Sequence, residues 1–594
     1  MKGISGYLEQ PKPWLYLFIF GAWGLSVAWF HPRMISLLDM ATTPLGMGAL
    51  LFFIIFTEIA WLYAFFNVGV ILFGAIYRRR PTIVRRSLAE LPQPHPSVAM
   101  LYTTCNDFVE ESALSCLAQD YEHFTLYILD DSSDENYRCQ VDAFAKKHPG
   151  RTRVVRRANR KGFKAGNINH GLKHVATSES LFALVDADEI LPTDFLTRLV
   201  PMILADDNCG FVQANHKSNP ESKSRLAQAM GIGIDIHWRW YHPLRNRFGF
   251  VMLLGHGAVI RRQCWQEIGG FPELVSEDLA FAIRAREKGW RGFFAEDVIC
   301  YEDFPEDVRA FRVRHMKWTR GTCEFLAKDM WRVLRSRAIP VVEKFDILFP
   351  TLNLPLSLFY FLFIIDANLI ITSMFGSSKP LTLAFGGTEL TIPIWRMSEQ
   401  FAILNSADFY AITLLTLLAP ILCFIIDMAK KPRKLFRFLS QSTTLYGALG
   451  PLSCLGVLFF LLTGKAVFHV TADKSRQINV RVVEARILAL PQKFVSRLRA
   501  LITGSHPDNY LVQIFEVLCG ILFGIMALRL MQISFFGVAL AFIMLPIMHH
   551  LSWDNPIIKR FAWLPFTLIL LGTLLGGLSL AGMQTVFFGY GFHF

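Results

Sequence analysis

Long apolar runs on both sides of a charged central stretch constrain this chain most. Residues 80–340 hold most of the charge, and the chain as a whole is 53% hydrophobic. The flanking runs are about 18 residues or longer, which is the length a helix needs to cross a bilayer. This pattern predicts a multi-pass membrane protein with one large domain outside the lipid. The runs lie at 14–29, 47–77, 347–375, 409–428, 446–463, 511–528, 530–548 and 561–583.

The run at 446–463 differs from the others because both of its flanks are basic. Lysines and arginines lie at 430–437 before it and at 465–499 after it, and such residues favour cytoplasmic loops. A segment with both flanks in the cytoplasm does not cross the membrane. In addition, Gly450 and Pro451 lie near the start of this run. We therefore expect an interfacial or re-entrant helix here and about seven crossings, two before the central stretch and five after it.

Membrane topology accounts for the formal net charge of +12, because basic clusters lie beside the apolar runs, as is usual for cytoplasmic loops. Two crossings before residue 90, with the basic residues of 78–86 on the inner side, place the central stretch in the cytoplasm. We expect a multi-pass protein of the cell inner membrane, in contact with lipid and without a nucleic-acid partner. The ten cysteines show no CxxC pair and no metal-ligand spacing with histidine. We expect those of the central stretch to be reduced.

The central stretch has the alternating pattern of an α/β domain. Apolar runs of strand length at 98–102, 126–129 and 181–185 alternate with helical patterns, and polar residues follow each run. Ligands of open α/β sheets bind at the carboxyl ends of the strands, so these polar residues are expected to share one site. Amphipathic segments at 224–241 and 305–335 suit helices at the membrane surface. The predicted parts are an N-terminal membrane region with two transmembrane helices at 1–90, a cytoplasmic domain with interfacial helices at 91–340 and a C-terminal transmembrane region at 341–594.

Three polar clusters of this stretch each allow two interpretations. Asp186 and Asp188 bracket one small residue, a spacing that suits one hard divalent cation or, alternatively, a solvated acidic turn. Asp278 begins a helical pattern, where a lone carboxylate could take a proton or, with Ser276, cap the helix. The segment 161–169, with its lysines, glycines and carboxamides, could cradle phosphates or form a solvated basic loop.

The order of these clusters along the chain resembles the family 2 glycosyltransferases, in particular their membrane-embedded, processive, cellulose-synthase-like branch. The resemblance covers about residues 95–325, and 468–471 (FHVT) is similar to the gating loop of bacterial cellulose synthase, which has the pattern FxVT. It implies a cytoplasmic GT-A (Rossmann-like) α/β domain embedded between transmembrane helices. The motifs are 106–107 (ND), 129–134 (LDDSSD), 161–169 (KGFKAGNIN), 186–189 (DADE), 255–262 (GHGAVIRR), 269–271 (GGF), 276–278 (SED) and 314–318 (RHMKW).

The resemblance assigns the donor site by matched position. Asp130 or Asp131 would contact the uridine of a nucleotide sugar, and Lys164 would lie near the nucleotide or its phosphates. Asp186 would help to hold the nucleotide, and Asp186 with Asp188 would hold Mg²⁺ or Mn²⁺. A bound cation and a lysine stabilise the negative charge that develops on a departing nucleoside diphosphate.

The same resemblance assigns the acceptor side. Asp278 would be the general base that deprotonates the acceptor hydroxyl, Trp318 would stack on the acceptor sugar, and Lys317 would approach the diphosphate. Two residues depart from the QxxRW pattern of the family: Arg314 replaces Gln, and Lys317 replaces Arg, so a point charge stands where a planar fork is usual. A gating loop at 464–475 would include Phe468, Val470 and Thr471.

The expected function is inverting, metal-dependent transfer of a sugar from a UDP-sugar to a growing β-linked polysaccharide, which is exported through the membrane region. The family resemblance favours UDP-glucose as the donor. Accessory envelope subunits are expected partners. Transfer of a single sugar to a lipid or short oligosaccharide is the alternative, and it uses the same catalytic residues without a channel. A transporter or receptor scaffold with an inactive transferase domain is the third possibility, and the intact acidic set argues against it.

Overall fold

The computed structural model describes residues 10–77, 88–91, 93–404, 406–464, 466 and 507–580. Phe468, Val470 and Thr471, the residues of the expected gating loop, lie outside the described residues, so their role stays a prediction.

Helices make up most of the described chain, and they are numbered here in chain order. Those before and within the central domain are α1 (Trp14–Ile35), α2 (Pro44–Tyr77), α3 (Glu110–Leu117), α4 (Glu135–Lys147), α5 (Phe163–His174), α6 (Phe195–Leu204), α7 (Arg225–Met230), α8 (Ile232–Phe248), α9 (Arg262–Glu267), α10 (Glu277–Glu287) and α11 (Val308–Arg335). Those after it are α12 (Val341–Ile365), α13 (Ile371–Phe375), α14 (Ala407–Leu418), α15 (Leu422–Met428), α16 (Pro432–Gly447), α17 (Gly450–Thr463), α18 (Tyr510–Leu530), α19 (Ile533–His550), α20 (Pro556–Phe561) and α21 (Leu564–Leu580).

Eight helical segments of the described residues are long and apolar enough to cross a membrane. Two precede the central domain and six follow it, so a multi-pass arrangement is supported, with one more candidate crossing than expected. The eight are Trp14–Met40, Pro44–Tyr77, Val341–Phe375, Ala407–Met428, Pro432–Thr463, Tyr510–Leu530, Ile533–His550 and Pro556–Leu578.

The additional candidate is Pro432–Thr463, the region expected to be interfacial or re-entrant. It consists of two helices, because α16 ends at Gly447 and α17 begins at Gly450. Glycine at both ends of the break favours an interruption, since glycine is a poor helix former. Its apolar length would suffice for a crossing, and its placement at the membrane surface stays a prediction.

The central domain is built on a mixed sheet of seven strands in the order β3-β2-β1-β4-β6-β5-β7. Strands β1 to β4 are mutually parallel, whereas β6 runs antiparallel to both β4 and β5. The polar residues that follow β1, β2 and β4 therefore meet at one edge of the sheet, as expected. The strands are β1 (Val98–Thr104), β2 (Phe124–Asp130), β3 (Thr152–Val155), β4 (Leu181–Asp186), β5 (Cys209–Ser218), β6 (Ala258–Arg261) and β7 (Arg291–Glu302), and a separate hairpin pairs β8 (Gly376–Phe385) with β9 (Thr388–Met397).

Two apolar layers cover the two faces of this sheet. The strands are buried almost throughout, as the burial patterns of β1 and β4 show, and such strands read as continuous apolar runs rather than as alternating ones. This explains why the sequence showed them as short apolar blocks. One layer includes Leu101, Phe182 and Ile260, and the other includes Met100, Ala183 and Val259.

Helix α8 joins the sheet to the membrane helices. The indole N–H of Trp240 donates a hydrogen bond to Asp427 at the end of α15 (2.9 Å), and the hydroxyl of Tyr241 donates one to Asn67 of α2. Trp238 and Trp240 are both buried. These aromatic residues therefore pack inside the protein, and the position of α8 at the membrane surface stays a prediction.

Candidate active site

A large cavity opens at the carboxyl ends of β1 and β4, where α10 and α11 cross the edge of the sheet. Its volume is about 1490 Å³. Most of the residues predicted for the site line this cavity. They are far apart in sequence: Asp131 and Trp318 are separated by 187 positions. The predicted residues at its surface are Asp131, Lys164, Asp186, Asp188, Asp278, Lys317 and Trp318.

Asp130 and Asp131 were equal candidates for the nucleotide contact, and the structure separates them. Asp130 is the last residue of β2 and is buried, with its Oδ2 2.7 Å from Nε of Arg156. It does not line the cavity. Asp131 does, and Arg157 holds its carboxylate by two hydrogen bonds of 2.9 and 2.6 Å. Asp131 is therefore the better placed of the two, and the assignment of Asp130 is not supported.

Asp186 and Lys164 form an ion pair in the cavity wall. The Oδ1 atom of Asp186 accepts hydrogen bonds from Lys164 and from the hydroxyl of Thr103 (2.9 Å), which leaves Oδ2 without either contact. The Lys164 ammonium also donates a hydrogen bond to the carbonyl of Gly255 (3.0 Å). Although burial opposes its charge, the pKa of Asp186 is lowered to about 2, chiefly by Lys164. Asp186 is thus fixed as a carboxylate beside a fixed cation.

Asp188 faces the open cavity two residues later. Its side chain is exposed to the cavity, yet it lies deep between the surrounding elements of the domain. Burial and then the charge of Asp186 raise the pKa of Asp188 to about 7. A carboxylate whose charge is this costly gains strongly from a nearby cation. Asp188 and the free Oδ2 of Asp186 are oxygen ligands of the kind that Mg²⁺ and Mn²⁺ prefer, so the predicted pair fits a divalent cation.

The segment 161–169 contributes mainly one charge to the site. Helix α5 begins after Gly162, whose φ of 76° lies in the left-handed region that glycine adopts at little cost. The carboxamide of Asn167 donates a hydrogen bond to the carbonyl of Leu129 (2.9 Å), and Asn169 exchanges two hydrogen bonds of 2.8 Å with the backbone of Phe271. These carboxamides hold neighbouring loops, and Lys164 is the cation of the segment that reaches Asp186.

Asp278 is the second residue of α10, and its carboxylate faces the same cavity. Its Oδ1 accepts a hydrogen bond from the backbone N–H of Leu279 (2.7 Å). Burial raises its pKa, which strengthens a carboxylate as a base near neutral pH. Ser276 precedes the helix without a side-chain capping bond, so the alternative interpretation as a simple serine cap is wrong.

Helix α11 brings the basic and aromatic residues to Asp278. Gly321 makes this approach possible, because a Cβ there would lie 2.9 Å from Val275 and 3.1 Å from Ser276. Lys317 and Trp318 lie one turn earlier on the same side of the helix. Trp318 is 49% exposed, so one face of the indole is free for a ligand. Burial lowers the pKa of Lys317, while Glu277 and Asp186 raise it.

Arg314 is held by aromatic rings in the wall of the same cavity. Its guanidinium carbon lies 4.7 Å from the ring centre of Phe304 and 4.7 Å from that of Trp318. This stacking fixes the indole of Trp318 from one side. The substitution of Arg for Gln in the motif thus adds a cation that supports the predicted acceptor residue.

Several cavity residues were not predicted from the sequence. Glu277 belongs to the motif 276–278, in which no role was expected for it; burial and then the charge of Asp278 raise its pKa to about 8. His256 and Glu302 also line the cavity near Asp186 and Asp188. The GHG motif was a signal for His256, whereas Glu302 lies at the end of β7 in an otherwise ordinary strand.

A comparison with known protein families matches residues 181–426 to the family described as "Glycosyl transferase family group 2". These residues are therefore similar to a family group 2 glycosyltransferase domain. The match includes Asp186, Asp188, Asp278, Lys317 and Trp318. The resemblance to membrane-embedded family 2 glycosyltransferases and the expected GT-A-like fold class, with a mixed sheet between apolar helices, are thereby confirmed.

Plant enzymes are among the curated relatives. Glucomannan 4-beta-mannosyltransferase 1 of Oryza sativa subsp. japonica is 26% identical over 402 residues, which are 63% of this chain and 72% of the relative. Glucomannan 4-beta-mannosyltransferase 7 of Arabidopsis thaliana is 26% identical over 303 residues, 50% of each chain. The chain spans about half the length of most such relatives.

Among solved structures, the mannosyltransferase PcManGT from Pyrobaculum calidifontis, in complex with GDP-Man and Mn²⁺, aligns with a TM-score of 0.40 and 20% identity. The alignment covers 54% of this chain and 85% of that one.

Proposed function

We propose that this glycosyltransferase moves a hexosyl group from a nucleoside diphosphate sugar onto a growing β-linked polysaccharide, with inversion at the anomeric carbon. The donor expected first is UDP-glucose. The observation that carries the proposal is the convergence of Asp186, Asp188, Asp278, Lys317 and Trp318 on one cavity. These five side chains supply a cation site, a base, a phosphate contact and a sugar platform within reach of one another.

The donor would occupy the side of the cavity formed by the ends of β2 and β4. Asp131 would contact the nucleoside, and its fixed pairing with Arg157 keeps the carboxylate in position. Lys164 and Lys317 would face the diphosphate. Asp188 and Oδ2 of Asp186 would hold a divalent cation, which supplies positive charge to the departing diphosphate.

The acceptor hydroxyl would lie between Asp278 and the anomeric carbon of the donor. Asp278 takes the hydroxyl proton as the oxygen attacks the face of the sugar opposite to the diphosphate, and Lys317 stabilises the charge that leaves. One such displacement inverts the anomeric centre, so an α-linked donor gives a β-linked product. The raised pKa of Asp278 suits this role, because the carboxylate binds the proton more firmly than an exposed aspartate does.

The shape of the cavity favours a polymer over a small acceptor. Beyond Trp318 it continues between α11 and the helices α15 and α16, where aromatic and hydroxyl side chains line it. Sugar rings present apolar faces to aromatic rings and hydroxyls to polar groups. The cavity therefore offers space for sugar units that have already been added. The lining residues in this part are Ile421, Phe424, Phe438, Ser442, Thr443 and Tyr446.

The same arrangement supports synthesis coupled to export. This part of the cavity ends at α15, the last part of the candidate crossing Ala407–Met428. We propose that the product passes from there through the membrane helices, with the transferase domain in the cytoplasm and the chain in the inner membrane. Accessory envelope subunits would receive the polymer on the far side.

Two observations bear on the identity of the hexose. The family resemblance favours glucose, whereas the curated relatives are named as glucomannan 4-beta-mannosyltransferases. Because both sugars are neutral hexoses that differ in one hydroxyl, the cavity charges do not distinguish them. We keep UDP-glucose as the first donor and a mannose donor as its rival.

The test is synthesis by the purified full chain in lipid nanodiscs with radiolabelled UDP-glucose, other UDP-sugars and GDP-mannose, each in the presence of Mg²⁺ or Mn²⁺. The proposal expects a long product from one donor that only β-specific glycosidases release. A single labelled sugar on a lipid or short acceptor would replace it with the non-processive alternative. Absence of transfer from every donor, with donor binding intact, would support an inactive scaffold.

A further inference from the structure

Three side chains with metal-binding atoms meet behind the wall that carries Asp186 and Asp188. Glu189 follows β4, His216 lies in β5 and Cys300 lies in β7. All three are buried, with exposures of 0% each, and a carboxylate oxygen, a ring nitrogen and the sulfur lie within 4.8 Å of one another. No sequence pattern indicates this cluster, because its residues are far apart along the chain.

The facing atoms of this cluster are not paired by hydrogen bonds. Oε1 of Glu189 and Nε2 of His216 lie 3.3 Å apart, and within the described part of the chain neither atom makes a hydrogen bond. Leaving two such atoms buried and unsatisfied is costly. A separation of 3.3 Å matches instead two ligands of one tetrahedral zinc ion, which lie about 3.3–3.4 Å apart when each is about 2.0–2.1 Å from the metal.

The remaining atoms of His216 hold the ring in the orientation of a metal ligand. Its Nδ1 lies 3.4 Å from Oε2 of Glu302, and Trp238 stacks on the ring with a centroid distance of 4.4 Å. A metal-bound imidazole usually donates its other N–H to a carboxylate in this way. The contact with Glu302 therefore selects the tautomer that leaves Nε2 free to bind.

Glu189 and Gly257 complete this arrangement. The Oε2 atom of Glu189 accepts the backbone N–H of Gly257 (3.1 Å), which turns Oε1 toward His216. Gly257 has a φ of 60°, and a Cβ at this position would lie 2.3 Å from Nε2 of His216 and 2.5 Å from Oε1 of Glu189. The glycine thus keeps open the space that the two unpaired atoms face.

We propose that Glu189, His216 and Cys300 bind a structural Zn²⁺ ion that is separate from the catalytic cation. Thiolate and imidazole ligands favour zinc over Mg²⁺ and Mn²⁺, whose preferred ligands are oxygens. The ion would join the turn after β4 to β5 and β7 and so support the turn that carries Asp186 and Asp188. This inference does not rest on the proposed function. A second set, His216, His256 and Glu302, is also close enough together to hold a cation, but it contains no thiol, and Nδ1 of His216 is already hydrogen-bonded to Oε2 of Glu302 within the set (3.4 Å).

The test measures metal bound to the full chain, purified in detergent through a tag without histidine and dialysed against EDTA to remove weakly held cations. Inductively coupled plasma mass spectrometry should find about one zinc ion per chain. Replacement of zinc by Co²⁺ should give the sulfur-to-cobalt charge-transfer band of a thiolate ligand. The variant Cys300→Ala should reduce the zinc content at least about fivefold and abolish that band.

Two controls separate this site from other effects. Cys264→Ala removes another buried thiol of the same domain and should retain the zinc. Asp188→Asn should weaken metal-dependent transfer and should also retain the zinc ion, so failure of the proposed function does not affect the outcome. The proposal would be overturned if the wild-type chain held less than about a tenth of a zinc ion and showed no cobalt band. Equal loss of zinc in both cysteine variants would also overturn it. The cluster would then be a set of imidazolium–carboxylate pairs. If Cys300→Ala does not fold, the wild-type zinc content and cobalt spectrum decide.

Discussion

Replacing Asp278 with Asn removes the proposed base and preserves the surrounding contacts. The asparagine carbonyl oxygen occupies the place of Oδ1, so it can still accept the hydrogen bond from the N–H of Leu279, which is 2.7 Å long in the structure. The start of α10 should therefore stay intact. Lys164 keeps its ion pair with Asp186, so the donor side of the cavity should change little.

The expected loss follows from the proton that the variant cannot accept. A positioned base contributes about 10²–10⁴-fold to a rate, which corresponds to about 2.7–5.5 kcal/mol of activation free energy. Burial raises the pKa of Asp278 and makes it a stronger base than an exposed aspartate. We therefore expect a fall in kcat in the upper half of this range, with the donor KM changed by less than about threefold.

The assay is initial-rate incorporation of labelled sugar by protein in nanodiscs, with donor binding measured separately by equilibrium dialysis. Asp194→Asn is the control: Asp194 immediately precedes α6 and makes no side-chain capping bond, and it does not line the cavity. This control should keep wild-type kcat. If Asp278→Asn elongates product at more than about a tenth of the wild-type rate, the assignment of the base is wrong.

The remaining predictions concern the cation, the acceptor, the helix contacts and pH. Asp188→Asn should raise the Mg²⁺ or Mn²⁺ concentration at half-maximal rate at least about tenfold, because it removes a charged ligand; an unchanged value, or full activity in excess EDTA, would exclude metal binding at Asp188. Trp318→Ala should raise KM for an oligosaccharide acceptor more than KM for the donor, because it removes the stacking surface; equal changes would contradict this. Arg312→Met leaves Glu516 buried without its ion-pair partner and should destabilise the protein by about 3–5 kcal/mol. The measurement is the midpoint of thermal unfolding, which should fall in this variant and should largely recover when Glu516→Leu is added. The rate should fall as pH decreases through the raised pKa of Asp278, because only the deprotonated carboxylate is a base; a rate that stays flat down to the ordinary aspartate range would contradict it.

The sequence predicted the sheet edge and most of the candidate residues that line the cavity there, because strand ends and motif order are local signals. Asp186, Asp188 and Asp278 each follow or begin a clear element, so their convergence could be expected from the general rule for α/β sheets. The residue types also limited the chemistry, since carboxylates and lysine have few roles beside one another in a cavity.

Asp130 and Asp131 show where local signals fail. The two neighbours in sequence point in different directions at the end of β2, and each is paired with a different arginine. Which one reaches the cavity depends on Arg156 and Arg157, which come from beyond the next helix and strand. Likewise, the close approach of α11 at Gly321 depends on a contact with Val275 that no local pattern contains.

The protein contacts of the aromatic residues of α8 could not be predicted for a related reason. An amphipathic sequence indicates that one face is apolar, but it does not tell whether lipid or protein covers that face. In the structure the membrane helices cover it through Asn67 and Asp427, whose partners on α8 are Tyr241, Arg239 and Trp240. The hydrogen-bond partners were too distant in sequence to be recognised.

Helix α11 has a consequence for how this enzyme can be handled. One side of it carries Lys317 and Trp318, while Arg309 pairs with Asp508 (2.6 Å) and Arg312 with Glu516 at α18. A shortened chain that ends at residue 340 would expose both guanidinium groups without their carboxylates, together with the apolar surface that α17 covers. We therefore expect that the central domain cannot be separated as a soluble catalyst, and that a shortened form aggregates rather than retaining weak activity.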